Sequence, residues 1–450
     1  MKKIRIGVMG CYRGTSMINY CRAAGNAEVV AICDKWQEGL DKQKAQNAGM
    51  DIAYYNNFDD FIKHDMDAVV LANYATEHAP FAIRAMRAGK HVFSEVLPVQ
   101  TLKEAVELVE AVEETGKIYA YGENYCYMQG PMEMRRLYRE GKIGEFEYGE
   151  GEYVHNCEPI WPSITYGDKN HWRNRMYATY YCTHSFGPLL HITGLRPIMV
   201  TGFEGAINER GMRTGRACGS FGMEMVTFEN GAIAKSLHGD LYKDSIWYAI
   251  YGSKGIMETA REDAELVANP NSVAYGLSNA MSRIYINVDE YSGEYKQRPV
   301  EAYTPSDRDP ELQKVEYFGH GGSDYWCMYH FVEKILGNEK ADIIDVYEAL
   351  DMGLCGLMAY RSILKGGVPV EIPNMRDKAT REKYRNDVAC TDPDVAGEQL
   401  LPFYSKGNPE IDDSIYQEME RKWRADFESE TGYTQLAFTQ SRDENSPGRV

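Results

Sequence analysis

The chain has 450 residues, of which 44% are hydrophobic and 26% are charged. These fractions are ordinary for globular proteins, and the length predicts two or more domains with hydrophobic cores. The formal net charge of −18 gives a surface that repels phosphate backbones and anionic lipids. The composition therefore argues against nucleic-acid and membrane partners.

The ten cysteines occur singly, and no two of them form a CxxC pair. This spacing predicts neither a metal site nor a redox dithiol. The basic residues at the start precede an apolar stretch that is too short for a secretory signal, and no apolar run is long enough to span a membrane. We expect a cytoplasmic protein.

Short apolar runs alternate with helical patterns over residues 1–123. Strands are predicted at 4–9, 28–33, 67–72, 91–93 and 117–121, and helices at 15–24, 58–63, 79–88 and 102–115. Such alternation is typical of parallel β-α-β units. It predicts an N-terminal α/β domain with a doubly wound parallel sheet of the Rossmann type.

The pattern changes in residues 124–373. Residues 145–154 alternate charged and apolar side chains, and a Glu229-Asn230-Gly231 turn joins predicted strands 223–228 and 232–238. A further strand is predicted at 246–251 and helices at 324–336 and 346–364. These elements predict an α+β domain with an open, mostly antiparallel sheet. An open sheet needs a cover, so we expect a homo-oligomer, a dimer or tetramer.

Residues 374–450 form a charged and polar C-terminal extension. A surface helix is predicted at 418–427, and one hypothesis is that the extension caps a neighbouring active site.

A glycine-containing loop follows the first predicted strand and opens the first predicted helix. Such a loop can hold a diphosphate through the N–H groups of the helix start. Tyr12 occupies the middle glycine position of the usual G-x-G-x-x-G pattern. Asp34 ends the second strand about twenty residues later, where an acid binds the adenosine ribose. We therefore predict NAD as the cofactor, with binding residues Gly10, Cys11, Tyr12, Arg13, Gly14, Asp34 and Lys35.

Three further motifs follow at family-like spacing: residues 67–74 (DAVVLANY), residues 78–80 (HAP) and residues 88–92 (AGKHV). With these motifs the chain resembles the Gfo/Idh/MocA oxidoreductases over about its first 130 residues, and more loosely to about Pro373. The resemblance implies a sugar or related polyol as substrate. It also implies cofactor contacts from Asn73, Tyr74, His78, Glu95 and Asn124.

One position departs from that family. The lysine of the family's Glu-Lys-Pro motif is Val96 here, after Glu95. A valine transfers no proton and binds no hydroxyl, so another acid or base must serve.

A second motif, residues 180–188 (YYCTHSFGP), contains Tyr181 and His184. With the Glu-Val variant, residues 123–127 (ENYCY) and residues 319–325 (GHGGSDY), it resembles a sub-branch that includes the NAD-dependent α-N-acetylgalactosaminidases. Tyrosine and histidine suit proton transfer during sugar oxidation. The predicted catalytic residues are Tyr181, His184, Tyr127 and Tyr325, and a structural role is the alternative for each.

Aromatic and polar residues at 171–173 and 320 can bind a sugar. The predicted substrate-binding residues are Glu95, His171, Trp172, Arg173 and His320. Three functions stay open: glycoside cleavage with recycled NAD, simple NAD-dependent sugar or inositol dehydrogenation, and non-catalytic sensing of NAD or sugar. NAD-dependent glycosidases need no pair of catalytic carboxylates.

Overall fold

The computed structural model describes residues 3–242, 244–261, 283–288 and 300–428. Its first sheet is parallel and has the strand order 3-2-1-4-5-6. The chain order reverses between β1 and β4, which is where Rossmann proteins bind dinucleotides. The strands are β1 (Ile4–Met9), β2 (Ala27–Cys33), β3 (Ala53–Tyr55), β4 (Ala68–Leu71), β5 (His91–Ser94) and β6 (Tyr119–Tyr121).

Helices connect these strands and cover the sheet. The fifth helix begins at a capping box, in which Thr101 and Glu104 each accept a hydrogen bond from the other's backbone N–H. The buried side chains of this helix, such as Leu102, Val106 and Val109, then recur on one face. The helices are α1 (Thr15–Ala23), α2 (Gln37–Gln46), α3 (Phe58–Phe61), α4 (His78–Arg87) and α5 (Leu102–Thr115).

The second sheet is mixed and contains nine strands in the described residues, in the order 14-13-12-11-7-10-9-8-15. Its β7–β10 pair is parallel, and the other described pairs are antiparallel. The strands are β7 (Phe146–Val154), β8 (Pro197–Glu204), β9 (Phe221–Phe228), β10 (Ile233–Gly239), β11 (Ser245–Gly252), β12 (Gly255–Thr259), β13 (Ile284–Val288), β14 (Glu301–Tyr303) and β15 (Val370–Glu371).

Two long helices pack closely on this sheet because glycines face them. A Cβ at Gly151 would lie 1.8 Å from the carbonyl oxygen of Ser185, and one at Gly202 would lie 2.2 Å from that of Ala359. These helices are α9 and α13. The described helices after β6 are α6 (Gln129–Arg139), α7 (Trp161–Thr165), α8 (Trp172–Arg175), α9 (Thr183–Thr193), α10 (Glu209–Thr214), α11 (Pro310–Val315), α12 (Ser323–Ile335), α13 (Val346–Leu364), α14 (Lys378–Tyr384), α15 (Pro393–Ala396) and α16 (Asp413–Glu428).

The predicted fold class is confirmed, and most predicted elements end within one or two residues of the observed ones. The Glu229-Asn230-Gly231 turn joins antiparallel β9 and β10. The alternating pattern of β7 did not reveal that one of its neighbours is parallel. The helix predicted at 418–427 is longer, Asp413–Glu428. None of the helices in the described ranges has the length and apolarity that a membrane crossing requires.

Candidate active site

A large cavity of about 1840 Å³ runs along the carboxyl edge of the first sheet and reaches the second sheet. The first sheet contributes residues that follow successive strands, because the carboxyl ends of parallel strands meet at one edge. These residues are Gly10 after β1, Asp34 after β2, Asn73 after β4, Glu95 after β5 and Asn124 after β6. The cavity therefore combines a nucleotide end with a second end built mainly by residues beyond β6.

The backbone at the nucleotide end leaves room for a diphosphate. Gly10 has a φ of 107°, and a Cβ there would lie 2.4 Å from the carbonyl oxygen of Ala72. The loop then turns directly into α1 at Thr15. Only glycine fits such a close approach with a positive φ, so the loop has the conformation that a dinucleotide requires.

Asp34 lies at the end of β2 and lines the cavity. Its two carboxylate oxygens accept hydrogen bonds from the N–H groups of Cys11 and Trp36, at 2.7 and 2.9 Å. Each oxygen retains a lone pair for a ribose hydroxyl. Because a fixed carboxylate repels a 2′-phosphate, this end of the cavity fits NAD better than NADP.

The structure separates the predicted cofactor residues into two groups. Some line the cavity: Gly10, Tyr12, Arg13, Asp34, Lys35, Asn73, Tyr74, Glu95 and Asn124. The remainder do not, namely Cys11, Gly14 and His78. Cys11 contributes its backbone N–H to Asp34, and Gly14 allows close packing of the loop against the carbonyl oxygen of Gly10.

His78 is enclosed by backbone carbonyl groups, and its neutral ring donates one hydrogen bond to them. Its Nδ1 and Nε2 lie 2.9 and 3.3 Å from the carbonyl oxygens of Leu97 and Asn73. Burial lowers the pKa of His78 to about 4, although these backbone contacts oppose the shift. It therefore positions the segments that carry Asn73 and Glu95, and we assign it no direct cofactor contact.

Charged groups from distant segments meet beside the glycine loop. The Arg13 guanidinium lies 2.7 Å from both carboxylate oxygens of Asp324 and 2.7 Å from Oε1 of Glu95. Asn124 donates to Asp324 at 3.0 Å, and Nδ1 of His320 lies 3.2 Å from it. Although burial raises the pKa of Asp324, Arg13 and His320 outweigh burial and hold that pKa well below its usual range. Burial raises the pKa of Glu95 despite Arg13.

His184 and Glu123 form a buried pair in the same cavity. Nδ1 of His184 lies 2.6 Å from Oε1 of Glu123, and the two side chains are 7% and 0% exposed. Burial lowers the pKa of His184 more than Glu123 raises it. His184 is therefore neutral near pH 7, with Nδ1 directed at the carboxylate, so that Nε2 is left to accept a proton.

Three tyrosine rings surround the His184 ring. The ring centroids of Tyr125, Tyr153 and Tyr181 lie 4.3, 4.7 and 5.0 Å from it. All three tyrosines line the cavity. They restrict the ring of His184 to one orientation and exclude water from its faces, which explains the low pKa.

Tyr181 lies beside a cation. The guanidinium carbon of Arg173 is 5.3 Å from the Tyr181 ring centroid and 4.4 Å from the Trp172 ring. Burial raises the pKa of Tyr181, and the charge and hydrogen bond of Arg173 only partly counter this. Tyr181 therefore keeps its proton near neutrality and can donate a hydrogen bond.

The predicted substrate-binding residues all line the cavity: Glu95, His171, Trp172, Arg173 and His320. The Trp172 ring is stacked with those of His171 and Tyr181, at 5.8 and 6.4 Å. Because burial lowers the pKa of His171 to about 3, this residue is neutral. Together these residues form an aromatic surface with the Arg173 guanidinium beside it.

Two predicted catalytic residues are not brought to the cavity lining. The Tyr127 hydroxyl donates to the carbonyl oxygen of Asp342 at 2.7 Å. Tyr325 packs among Tyr20, Phe318 and Tyr329. Neither side chain lines the cavity, and we leave both out of the proposed site.

The sequence interpretation overlooked Glu123, Tyr153 and Asp324. Glu123 carried a usable signal, because it follows a parallel strand at the edge where ligands bind. Asp324 stands in the quoted Gly-rich motif, four residues after His320. Tyr153 had no such signal, since it is one of two tyrosines in β7 and one of 33 in the chain. Across the described ranges, no group of three or more His, Cys, Asp or Glu is arranged to hold a metal ion.

Two family models match the chain in separate segments. Residues 4–123 match the oxidoreductase family with an NAD-binding Rossmann fold, Gfo/Idh/MocA. Residues 245–385 match the C-terminal domain of glycosyl hydrolase 109. The chain therefore joins an N-terminal domain that matches the Gfo/Idh/MocA oxidoreductases to a later segment that matches the C-terminal domain of glycosyl hydrolase 109.

Similar proteins agree with this assignment. A glycosyl hydrolase family 109 protein of Solibacter usitatus is 26% identical over 85% of this chain and 89% of its own length. An α-N-acetylgalactosaminidase of Shewanella oneidensis is 25% identical over 83% and 85%. The fold also resembles that of the WlbA dehydrogenase of Bordetella pertussis, solved with NADH and UDP-GlcNAcA, with a TM-score of 0.61, 18% identity and coverage of 83% and 98%.

The cofactor of this enzyme is NAD. The family model describes an NAD-binding domain, and the glycine loop and Asp34 fit the dinucleotide. The buried Oδ1 of Asn73 has no hydrogen-bond partner in the described part of the chain, and Asn73 lines the cavity. Such an orphaned acceptor fits a site that a polar ligand completes.

Proposed function

We propose that the enzyme hydrolyses glycosides without net redox change, through oxidation of a sugar 3-hydroxyl, elimination, hydration and reduction. The observation that carries this proposal is the His184–Glu123 pair beside Tyr181, in the cavity that also contains the NAD residues. Val96 supports it, because the lysine of ordinary dehydrogenases in this family is missing. The match to glycosyl hydrolase 109 supports it independently.

Bound NAD⁺ supplies one function, which is to accept a hydride from the sugar and, as NADH, to return it. The protein must move the protons. Neutral His184 accepts the hydroxyl proton during oxidation and releases it to solvent, and it then accepts the carbon-2 proton during elimination. Glu123 stabilises the imidazolium that forms each time. A ketone at carbon 3 makes the hydrogen on carbon 2 acidic, so a base of this strength suffices.

Tyr181 is proposed as the hydrogen-bond donor to the sugar oxygen that gains negative charge. Its raised pKa keeps the proton in place, and Arg173 adds positive charge beside the ring. Trp172 and His171 are proposed to form the platform on which the apolar face of the sugar packs. Elimination breaks the bond between carbon 1 and the leaving group, and addition of water to the double bond precedes reduction.

The test follows two signals from one reaction. The protein is incubated with aryl glycosides, α-N-acetylgalactosaminides first, and release of the aryl alcohol and absorbance of NADH are recorded together. We expect one aryl alcohol to be released for each glycoside consumed, while the absorbance of NADH does not rise. Steady NADH production would instead identify a simple sugar or inositol dehydrogenase. A protein that binds NAD but gives neither signal would instead favour non-catalytic sensing of NAD or sugar.

Isotope incorporation tests the elimination step. Product formed in deuterated water is expected to carry deuterium at carbon 2, because the proton lost there is replaced from solvent. Hydrolysis without this label would contradict elimination with solvent-exchanged protons. An ordinary displacement at carbon 1 leaves carbon 2 unlabelled, so the two routes are separated.

A further inference from the structure

The last described helix, α16, lies over the nucleotide end of the cavity. Its Trp423 and Phe427 form a small apolar cluster with Tyr12, Trp36 and Tyr166, separate from the main core. The ring centroids of Trp36 and Phe427 are 5.2 Å apart, and those of Tyr166 and Trp423 are 5.3 Å apart. Tyr12 belongs to the glycine loop and Trp36 follows Asp34 by two residues, so the cluster is built on the cofactor site.

Polar contacts also hold α16 to α2. Lys42 donates to the carbonyl oxygen of Phe427 at 3.0 Å, and its Nζ lies 3.4 Å from the Phe427 ring centroid. Arg424 donates to Glu38 at 2.9 Å. The extension therefore covers the cavity of its own chain, whereas the sequence had suggested a neighbour's site.

Trp423 carries an unsatisfied donor. Trp423 is 6% exposed, and its buried Nε1–H has no hydrogen-bond partner among residues that the structure describes. Trp423 and Arg424 line the same cavity as Asp34 and Tyr12. A buried N–H without an acceptor is costly, so an acceptor on a bound ligand would relieve that cost.

We propose that Trp423 is a cofactor ligand and that α16 is a cap that retains NAD. The indole N–H donates to an oxygen of the adenosine-diphosphate half, and the Trp423–Phe427 face closes that half off from solvent. The inference rests on NAD as cofactor and not on the glycosidic half of the proposed function. A retained cofactor suits a cycle in which hydride is returned, because no exchange is needed between turnovers.

The experiment measures how fast bound NAD leaves the full-length protein. Protein purified with NAD is mixed with excess deuterated NAD, and the bound cofactor is sampled by filtration and mass spectrometry. Trp423→Phe keeps an aromatic ring and removes the N–H, so we expect exchange about tenfold faster, since a hydrogen bond to a polar ligand is of that order. Trp423→Ala also opens the cluster, so we expect a still larger acceleration.

Arg421→Ala is the matched control on the same helix. Arg421 is 68% exposed and pairs only with Glu418 among described residues, so this variant is expected to exchange NAD at the wild-type rate. Circular dichroism and melting curves establish that each variant is folded. Wild-type exchange rates in folded Trp423→Phe and Trp423→Ala would overturn the proposal.

Aryl alcohol release at saturating NAD separates this proposal from the glycosidase proposal. We expect both Trp423 variants to need a higher NAD concentration for half-maximal activity, whereas Arg421→Ala, outside the cavity lining, keeps the wild-type dependence on NAD. Loss of activity at saturating NAD with unchanged exchange would place Trp423 in another role and overturn the cap. A wild-type protein that exchanges NAD quickly but still releases aryl alcohol would overturn the cap alone.

Discussion

The two ends of the cavity are built by different means. At the nucleotide end the site is formed mainly by the backbone. Gly10 gives the loop its open conformation, and the N–H groups of Cys11 and Trp36 fix the carboxylate of Asp34. At the opposite end, called the sugar end because we propose that the substrate binds there, the proposed chemistry depends on single side-chain atoms, chiefly Nδ1 of His184 and Oε1 of Glu123.

This difference predicts how each end responds to substitution. A backbone-defined site tolerates side-chain changes, as Tyr12 in place of a glycine illustrates. A site defined by proton-transferring atoms loses most of its rate when one atom is removed. Substitutions at the sugar end should therefore reduce turnover, and those at the nucleotide end should reduce cofactor affinity.

His184→Ala is expected to have the largest effect. Loss of the base should lower the rate of aryl glycoside cleavage on the order of a hundredfold to ten-thousandfold, with NAD content unchanged. His191→Ala is a matched control, because His191 lies on the same helix and pairs with Glu348 at 2.6 Å, outside the cavity lining. It should lower stability and leave the rate per folded molecule near normal. Equal rate losses in both variants would point to a structural role for His184.

Tyr181→Phe comes next, with an expected rate loss of about a hundredfold. The ring and its packing remain, and only the hydroxyl proton is removed. Tyr127→Phe makes the same change outside the cavity lining and removes one hydrogen bond to Asp342, which should cost about 1 kcal/mol of stability and little activity. A larger rate loss in Tyr127→Phe than in Tyr181→Phe would reverse our assignment of the two tyrosines.

Glu123→Gln tests a positioning residue. We expect a rate loss on the order of tenfold to a hundredfold, smaller than that of His184→Ala. In the wild type, kcat/KM should fall as pH drops through the His184 pKa, which lies below its ordinary value of 6.5. Because Glu123 raises that pKa, Gln should move the acid limb to still lower pH. Glu348→Gln, which changes a carboxylate outside the cavity lining, is the control and should leave the acid limb of the pH profile unchanged. An unchanged acid limb in Glu123→Gln would contradict the proposed role of the His184–Glu123 pair.

Asp34→Ala should have the smallest effect on turnover. It removes the ribose acceptor and releases two loop N–H groups, so the Kd for NAD is expected to rise about tenfold, the effect of losing one hydrogen bond to a charged group. Turnover at saturating NAD should stay within about threefold. Asp41→Ala makes the same change in net charge on the exposed side of α2 and should leave the Kd unchanged. Titration calorimetry measures the Kd for NAD of both variants. Equal Kd values for Asp34→Ala and Asp41→Ala would contradict a role for Asp34 in cofactor binding.

The nucleotide end was largely predictable from sequence because its information is local. Gly10, the loop and Asp34 lie within one β-α-β unit, and strand ends define where their side chains meet. The sugar end was only half predictable. Tyr181 and His184 were found through a motif, but Glu123 reaches His184 across 61 positions and no periodicity encodes that contact.

The features that the sequence left open have a common physical cause. Tyr127 and Tyr325 fit the chemistry as residue types, but the sequence does not reveal that their side chains contact Asp342 and Tyr20 instead of lining the cavity. The packing of α16 on the nucleotide end was not predicted, because residues in contact there, such as Arg424 and Glu38, are 386 positions apart in the sequence. Amphipathic spacing predicted the helix itself but carries no information about the surface on which it packs.

The Arg13–Asp324–Glu95 cluster restricts how this cofactor loop can be re-engineered. Exchanging the whole loop for an ordinary glycine loop would remove Arg13 and leave two buried carboxylates without their cation, beside a loop that has to hold an anionic diphosphate. Removing one partner of a buried ion pair costs about 3–5 kcal/mol. A loop transplanted from a standard dehydrogenase therefore has to be accompanied by neutral residues at positions 95 and 324, and the three positions change as one unit.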